Sequence, residues 1–192
     1  MIRQKKISNE NAPPPPAPNH PVSVVNEGKV NAEYFTVYIT NLLSRDVGVD
    51  IASTSLQNVN VLSNRLDSAI SLINDHSKGL SKEELRIIRD INGFYVRDNI
   101  RTGMNMDTGI YNLRSSYIIA SPIAWLSSTI AHDSFHIEQR RQGYFYNRLS
   151  APRMEMEANR FQIQVGRKLG LPESSIEYIK NDTHALYNTN SY

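Results

Sequence analysis

The chain has 192 residues, enough for one domain with a proper core and a small appendage. Its 21 basic and 19 acidic residues nearly cancel, so no net field points to nucleic acid or to a membrane surface. Cysteine is absent, which excludes disulfides and thiolate metal sites and leaves His, Asp and Glu to hold any metal.

Residues 1–31 form a Pro-rich arm with an unbroken run from Pro13 to Pro16. Such a segment has no apolar periodicity and favours extended polyproline II, so it reads as a disordered arm or linker, able to connect to a larger protein or a delivery partner. The basic start Met1–Lys6 is not followed by an apolar h-region, and no stretch approaches the roughly 18 apolar residues that a membrane span needs. The expected location is the cytoplasm, or outside it by a route without an ordinary signal peptide.

Residues 32–182 read as the folded domain. Tyr34 to Ile39 is aromatic and β-branched, a strand pattern, and Val47, Val49 and Ile51 alternate as a second. Leu62, Leu66, Ala69, Ile70 and Ile73 make one stripe of a helix from Val59 to Ile73. Ser81 followed by Glu84 is a capping-box pair that opens a short helix with Leu85, Ile88 and Ile91 inward. Asn92-Gly93 ends it, and Phe94-Tyr95-Val96 starts a strand. Residues 101–109 hold two glycines and no pattern, so they read as a loop. Ile110–Leu113 and Tyr117–Ile119 look like strand pieces. Ser121-Pro122 reads as an N-cap and first helical position, opening a helix to about Arg141. Pro152 opens another helix to about Leu169, stopped by Gly170 and Pro172, and a short one covers Glu173 to Ile179. Residues 183–192 are a polar tail. The fold class is α+β, a small sheet packed on helices.

Chemistry concentrates in His132-Asp133-Ser134-Phe135-His136. On a helix, residues four apart share a face, so both imidazoles can address one metal ion. Apolar residues surround this helix, and a helix apolar on most sides is buried. Buried imidazoles and a buried carboxylate need partners: a divalent cation is one solution, and hydrogen bonds to backbone or carboxylates are the other. Two histidines do not complete a catalytic metal site, which takes three protein ligands. The third is sought in Met154-Glu155-Met156-Glu157-Ala158-Asn159 on the next helix. Glu155 shares its edge with Asn159, Gln162 and Gly166, an uncharged row suited to burial. Glu157 shares its edge with Gln164 and Lys168, a solvated row. Glu155 is therefore the preferred ligand and Glu157 the alternative. His184, in the polar tail, is a further candidate.

These two motifs together resemble the gluzincin branch of the zincin metallopeptidases, with HDxxH in place of HExxH and ExEAN as the downstream motif. The resemblance covers roughly residues 80–170. It implies a zincin-like fold, Zn²⁺ held by His132, His136 and Glu155, Asp133 as general base, and Asn159 as support for a histidine. It also implies a peptide or protein substrate paired along the strand region Tyr111 to Ile119. Asp133 departs from the family: one methylene shorter than Glu, it reaches an attacking water less well. The expected activity is thus that of a zinc metallopeptidase. The alternatives are a catalytically silent metal-binding or interaction domain, and an effector or toxin domain delivered by a larger secreted protein. Tyr144, Tyr146, Tyr178 and Tyr187 are candidates for a hydroxyl that stabilises an oxyanion. Arg140, Arg141, Arg148, Arg153, Arg160 and Arg167 read as a solvated basic face, with no nucleic-acid partner expected.

Overall fold

The computed structural model describes residues 34–189, with side chains to residue 183. The Pro-rich arm and the side chains of His184 and Tyr187 lie outside the described residues. Five strands form one mixed sheet: β1 (Tyr34–Leu42), β2 (Arg45–Ser53), β3 (Gly93–Arg97), β4 (Gly103–Asn105) and β5 (Ile110–Arg114). Their spatial order is β1-β2-β3-β5-β4. The central pairs β2–β3 and β3–β5 are parallel, and the outer pairs β1–β2 and β4–β5 are antiparallel. Six helices complete the α+β fold: α1 (Leu56–Asp75), α2 (Lys82–Ile88), α3 (Ser115–Ala120), α4 (Ile123–Arg141), α5 (Ala151–Lys168) and α6 (Glu173–Thr189). No helix among the described residues is long and apolar enough to cross a membrane.

The apolar stripes expected from the sequence meet in one core. Leu62, Leu66, Ala69, Ile70 and Ile73 of α1 pack with Val47, Val49 and Ile51 of β2, Phe94 and Val96 of β3, and Leu126 and Ile130 of α4. Side chains that alternate out of β1, namely Phe35, Val37 and Ile39, are exposed on the other sheet face. The β1–β2 turn places Leu43 and Ser44 at φ 53° and 64°, left-handed backbone that non-glycine residues seldom adopt. Asn74 holds this turn by accepting from the Leu43 amide at 2.7 Å, and Arg89 donates to the Leu43 carbonyl at 3.0 Å.

Five sequence expectations give way to tertiary context. Tyr117–Ile119 is not a strand but lies inside α3. Arg65 of α1 donates to the Ile118 carbonyl (2.8 Å) and to the Ser121 carbonyl, satisfying acceptors at the end of a helix too short to show periodicity. Ser121 consequently ends α3, and Pro122 takes the N-cap position of α4 with no side-chain cap. The loop 101–109 contains β4, whose three residues pair with Ile110–Asn112 of β5. Because β4 covers β5, the region Tyr111 to Ile119 is not a sheet edge; the edge on that side is β4. The last helix runs to Thr189 rather than Ile179.

The capping box forms as the sequence indicates: the Glu84 amide donates to Ser81 Oγ (3.1 Å) and the Ser81 amide to Glu84 Oε2 (2.5 Å). The same carboxylate accepts from Lys168 Nζ (2.6 Å) and Gln164 Nε2 (2.8 Å), so it also ties α2 to the end of α5. Burial works to raise the Glu84 pKa, but the bonds from Lys168, the Ser81 amide and Gln164 outweigh it and hold the group below the usual carboxylate value. A depressed folded-state pKa contributes stability above the unfolded value and loses it as pH falls through the folded one. Glu84→Gln is therefore expected to lower unfolding stability by about 1–3 kcal/mol at neutral pH. The difference from wild type should shrink on acidification below the ordinary carboxylate pKa of about 4. Urea titrations of both proteins across that range read the effect.

Candidate metal centre

α4 is buried along most of its length although much of its surface is polar, and it solves this locally. Ser127, Ser128, Thr129 and Ser134 each donate back to a carbonyl three or four residues earlier. Ser127 also reaches the Ala69 carbonyl of α1 (3.0 Å). Trp125 Nε1 donates to the Tyr117 hydroxyl (2.9 Å), fixing the start of α4 against α3. α5 crosses α4 closely. A Cβ at Gly166 would come within 2.9 Å of Leu171 and 3.4 Å of the Ser128 Cβ, and Gln162 Nε2 donates to Ser128 Oγ at 3.1 Å. The apolar stripe of α5, Met154, Ala158, Phe161, Val165 and Leu169, is buried throughout.

This packing brings His132, His136 and Glu155 together. His132 Nε2 lies 3.2 Å from Glu155 Oε2, and His136 Nε2 lies 3.7 Å from Glu155 Oε1. The two rings stand at 81° to each other with centroids 5.0 Å apart. One ligand atom from each residue falls within 4.8 Å of the other two, so the three could hold one metal ion. Glu157 points elsewhere: Arg153 Nε donates to it at 2.9 Å and Gln139 Nε2 at 3.2 Å.

Gln139 fixes His136. Its Nε2 donates to the Met154 carbonyl (2.9 Å), which leaves Oε1 facing His136 Nδ1 at 2.8 Å. Nδ1 must then carry the proton, and Nε2 presents its lone pair to the centre. Sequence reasoning assigned a supporting role to Asn159 and missed Gln139. Asn159 is buried, but its amide donates to Asp182 of α6 at 3.1 Å. The signal for Gln139 was its position, one turn after His136 on a buried helix. His132 Nδ1 is buried without a well-formed hydrogen bond, although Gln162 lies near enough to help raise the pKa of the imidazole.

The charges couple tightly. Burial lowers the His132 pKa, but Glu155 and Asp133 outweigh it and the net shift is upward. Burial and the neighbouring His132 both push His136 down. Burial acts to raise Glu155, yet the imidazoles and Tyr146 bring it down to about 2. Glu155 and His132 thus favour each other's charged form. A divalent cation would offer Glu155 a counter-charge while leaving both imidazoles neutral, so the donor set fits such an ion.

A cavity of about 520 Å³ opens onto the three residues; Asp133, Tyr146, Arg101, Met104 and Asn112 also line it. Asp133 is buried on α4, and burial raises its pKa above the usual value. The Tyr111 hydroxyl is buried nearby on β5; burial, then the Asp133 charge, raise its pKa. Of the tyrosines considered, Tyr146 reaches the centre: its hydroxyl donates to Glu155 Oε1 at 2.7 Å, and burial followed by Glu155 pushes its pKa up to about 12. Tyr144 instead accepts from Arg153 (3.0 Å), and Tyr178 packs edge-on against Trp125. Arg140, Arg141, Arg153 and Arg167 each pair with a carboxylate. The chain matches no protein-family model, no curated protein and no solved structure.

Proposed function

We propose that the protein is a zinc-dependent hydrolase acting on peptide bonds. The observation that carries this reading is the convergence of two imidazoles and a carboxylate from adjacent helices in one cavity that also holds a buried acid and a phenol. His132, His136 and Glu155 would hold the ion; two nitrogens and one oxygen, with room for substrate, are a donor set that zinc takes in hydrolytic sites. Zinc, when bound, polarises a carbonyl and eases deprotonation of water.

The chain's own residues supply the remaining roles. Asp133 accepts the proton of the attacking water and returns it to the departing amine. Tyr146, whose hydroxyl now donates to Glu155, can turn that donor to the oxyanion that develops on the carbonyl. β4, the sheet edge beside the cavity, offers unpaired backbone groups along which an extended peptide can align. The short reach of Asp133 favours a second reading, a metal-binding domain without turnover, and the same experiments separate the two.

Purified protein is expected to carry one equivalent of zinc. His132→Ala and Glu155→Gln should lose it, and Glu157→Gln should keep it. Asp133→Asn should keep zinc while cleavage of a peptide library falls by about 10²–10⁴. Zinc-free wild type, or a His132→Ala variant with unchanged zinc, defeats the proposal; full zinc with no cleavage favours the silent domain. Gln139→Leu, which frees His136, should weaken zinc affinity about 10–100-fold in a chelator competition. Tyr146→Phe at saturating zinc should reduce kcat by about 10²–10³ with little change in KM.

A further inference from the structure

Arg101 is the arginine that lines the cavity. Arg140, Arg141, Arg153 and Arg167 are all neutralised by carboxylates, whereas Arg101 has no ion pair or hydrogen-bonded partner among the described residues. Its side chain is exposed, yet it lines the cavity that contains His132, His136 and Glu155. It is also close enough to Tyr146 for its charge to lower that phenol's pKa.

The surroundings keep this charge uncompensated. The carboxylates closest in sequence are committed elsewhere. Asp98 accepts from the Thr54 amide (2.9 Å) and from the hydroxyls of Ser53 (3.1 Å) and Thr54 (3.1 Å). Asp107 accepts from Arg140 at 2.7 Å. Glu155 is held by the two imidazoles and Tyr146, and Asp133 is buried. The backbone on either side of Arg101 is pinned to the end of β5. Arg114 Nε donates to the Ile100 carbonyl (3.0 Å), and the Arg114 amide donates to Thr102 Oγ1 (3.0 Å). The guanidinium is thus carried on a fixed base at the entrance to the cavity, immediately before edge strand β4.

We infer that Arg101 is a specificity-determining residue that binds a carboxylate of the substrate next to the bond being cleaved, so that the site selects peptides that present a carboxylate there. This rests on the hydrolase reading above. Arg101 adds one positive charge to a concave, partly desolvated space that it shares with the candidate metal ligands. A planar guanidinium with no internal partner matches a carboxylate in bidentate geometry. The carboxylate can belong to an acidic side chain or to a peptide C-terminus.

The test uses the full chain loaded with zinc and dipeptides that carry a malonyl hydroxamate on the N-terminus, which bind through the ion without needing turnover. Compounds with Glu and with Gln next to the malonyl hydroxamate are compared by calorimetry, each with a free and an amidated C-terminus. Wild type should prefer one carboxylate-bearing member by roughly three- to tenfold, and which member shows the preference identifies the source. Arg101→Gln should abolish the preference, and Arg101→Glu should reverse it, both with unchanged zinc content. Equal affinities in zinc-loaded wild type, or a preference that survives Arg101→Gln, overturn the inference alone. Absence of zinc from the wild type overturns the reading beneath it.

Discussion

The contact between α4 and α5 is the constraint on which the rest depends. Three ligand-type groups on two helices can meet only if the helix backbones come close, and here they are let in by small residues. Gly166 leaves no room for a Cβ against Leu171 and Ser128. Gln162 then bridges to Ser128, and Gln139 bridges from α4 to the Met154 carbonyl. A seam of glycine, serine and glutamine runs beside the apolar contact of Phe135 with Phe161. Its polar atoms are satisfied within the seam, which limits the cost of burying it.

That seam also sets the electrostatics. Because the imidazoles and Glu155 share a space sheltered from water, each group answers to its neighbours more than to solvent, as the depressed Glu155 and the elevated His132 record. The walls are held from outside by the fold. Glu84 ties the far end of α5 to α2, Trp125 ties α4 to α3, and Arg114 anchors the segment that carries Arg101.

Elements with their own periodicity were legible from the sequence. The stripes of α1 and α5 and the pair Ser81/Glu84 describe local geometry, and the structure repeats them. That Glu155 rather than Glu157 lies beside the two histidines was readable from their neighbours, because a row of Asn159, Gln162 and Gly166 fits a buried edge and a row ending in Lys168 does not. What escaped depends on long-range partners. Tyr117-Ile118-Ile119 has β-branched character, but its helix is held by Arg65 from α1. β4 has three residues and exists only because β5 offers it a ladder. Gln139 and Arg101 carry no motif; one matters through what it touches and the other through what it does not.

The sequence nearness of α4 and α5 has a consequence for how the chain assembles. Joined by residues 142–150, they form an antiparallel hairpin whose closure carries little entropic penalty, whereas the sheet must gather strands from Tyr34 to Arg114 around two parallel pairings. The left-handed turn at Leu43 and Ser44 further depends on Asn74 and Arg89, groups supplied by distant segments. Folding order should therefore run from the helical hairpin toward the β1–β2 edge. On the proposed reading, an ion captured early would staple the hairpin before the sheet is registered, making the centre part of the route by which the protein reaches its fold as well as a site within it.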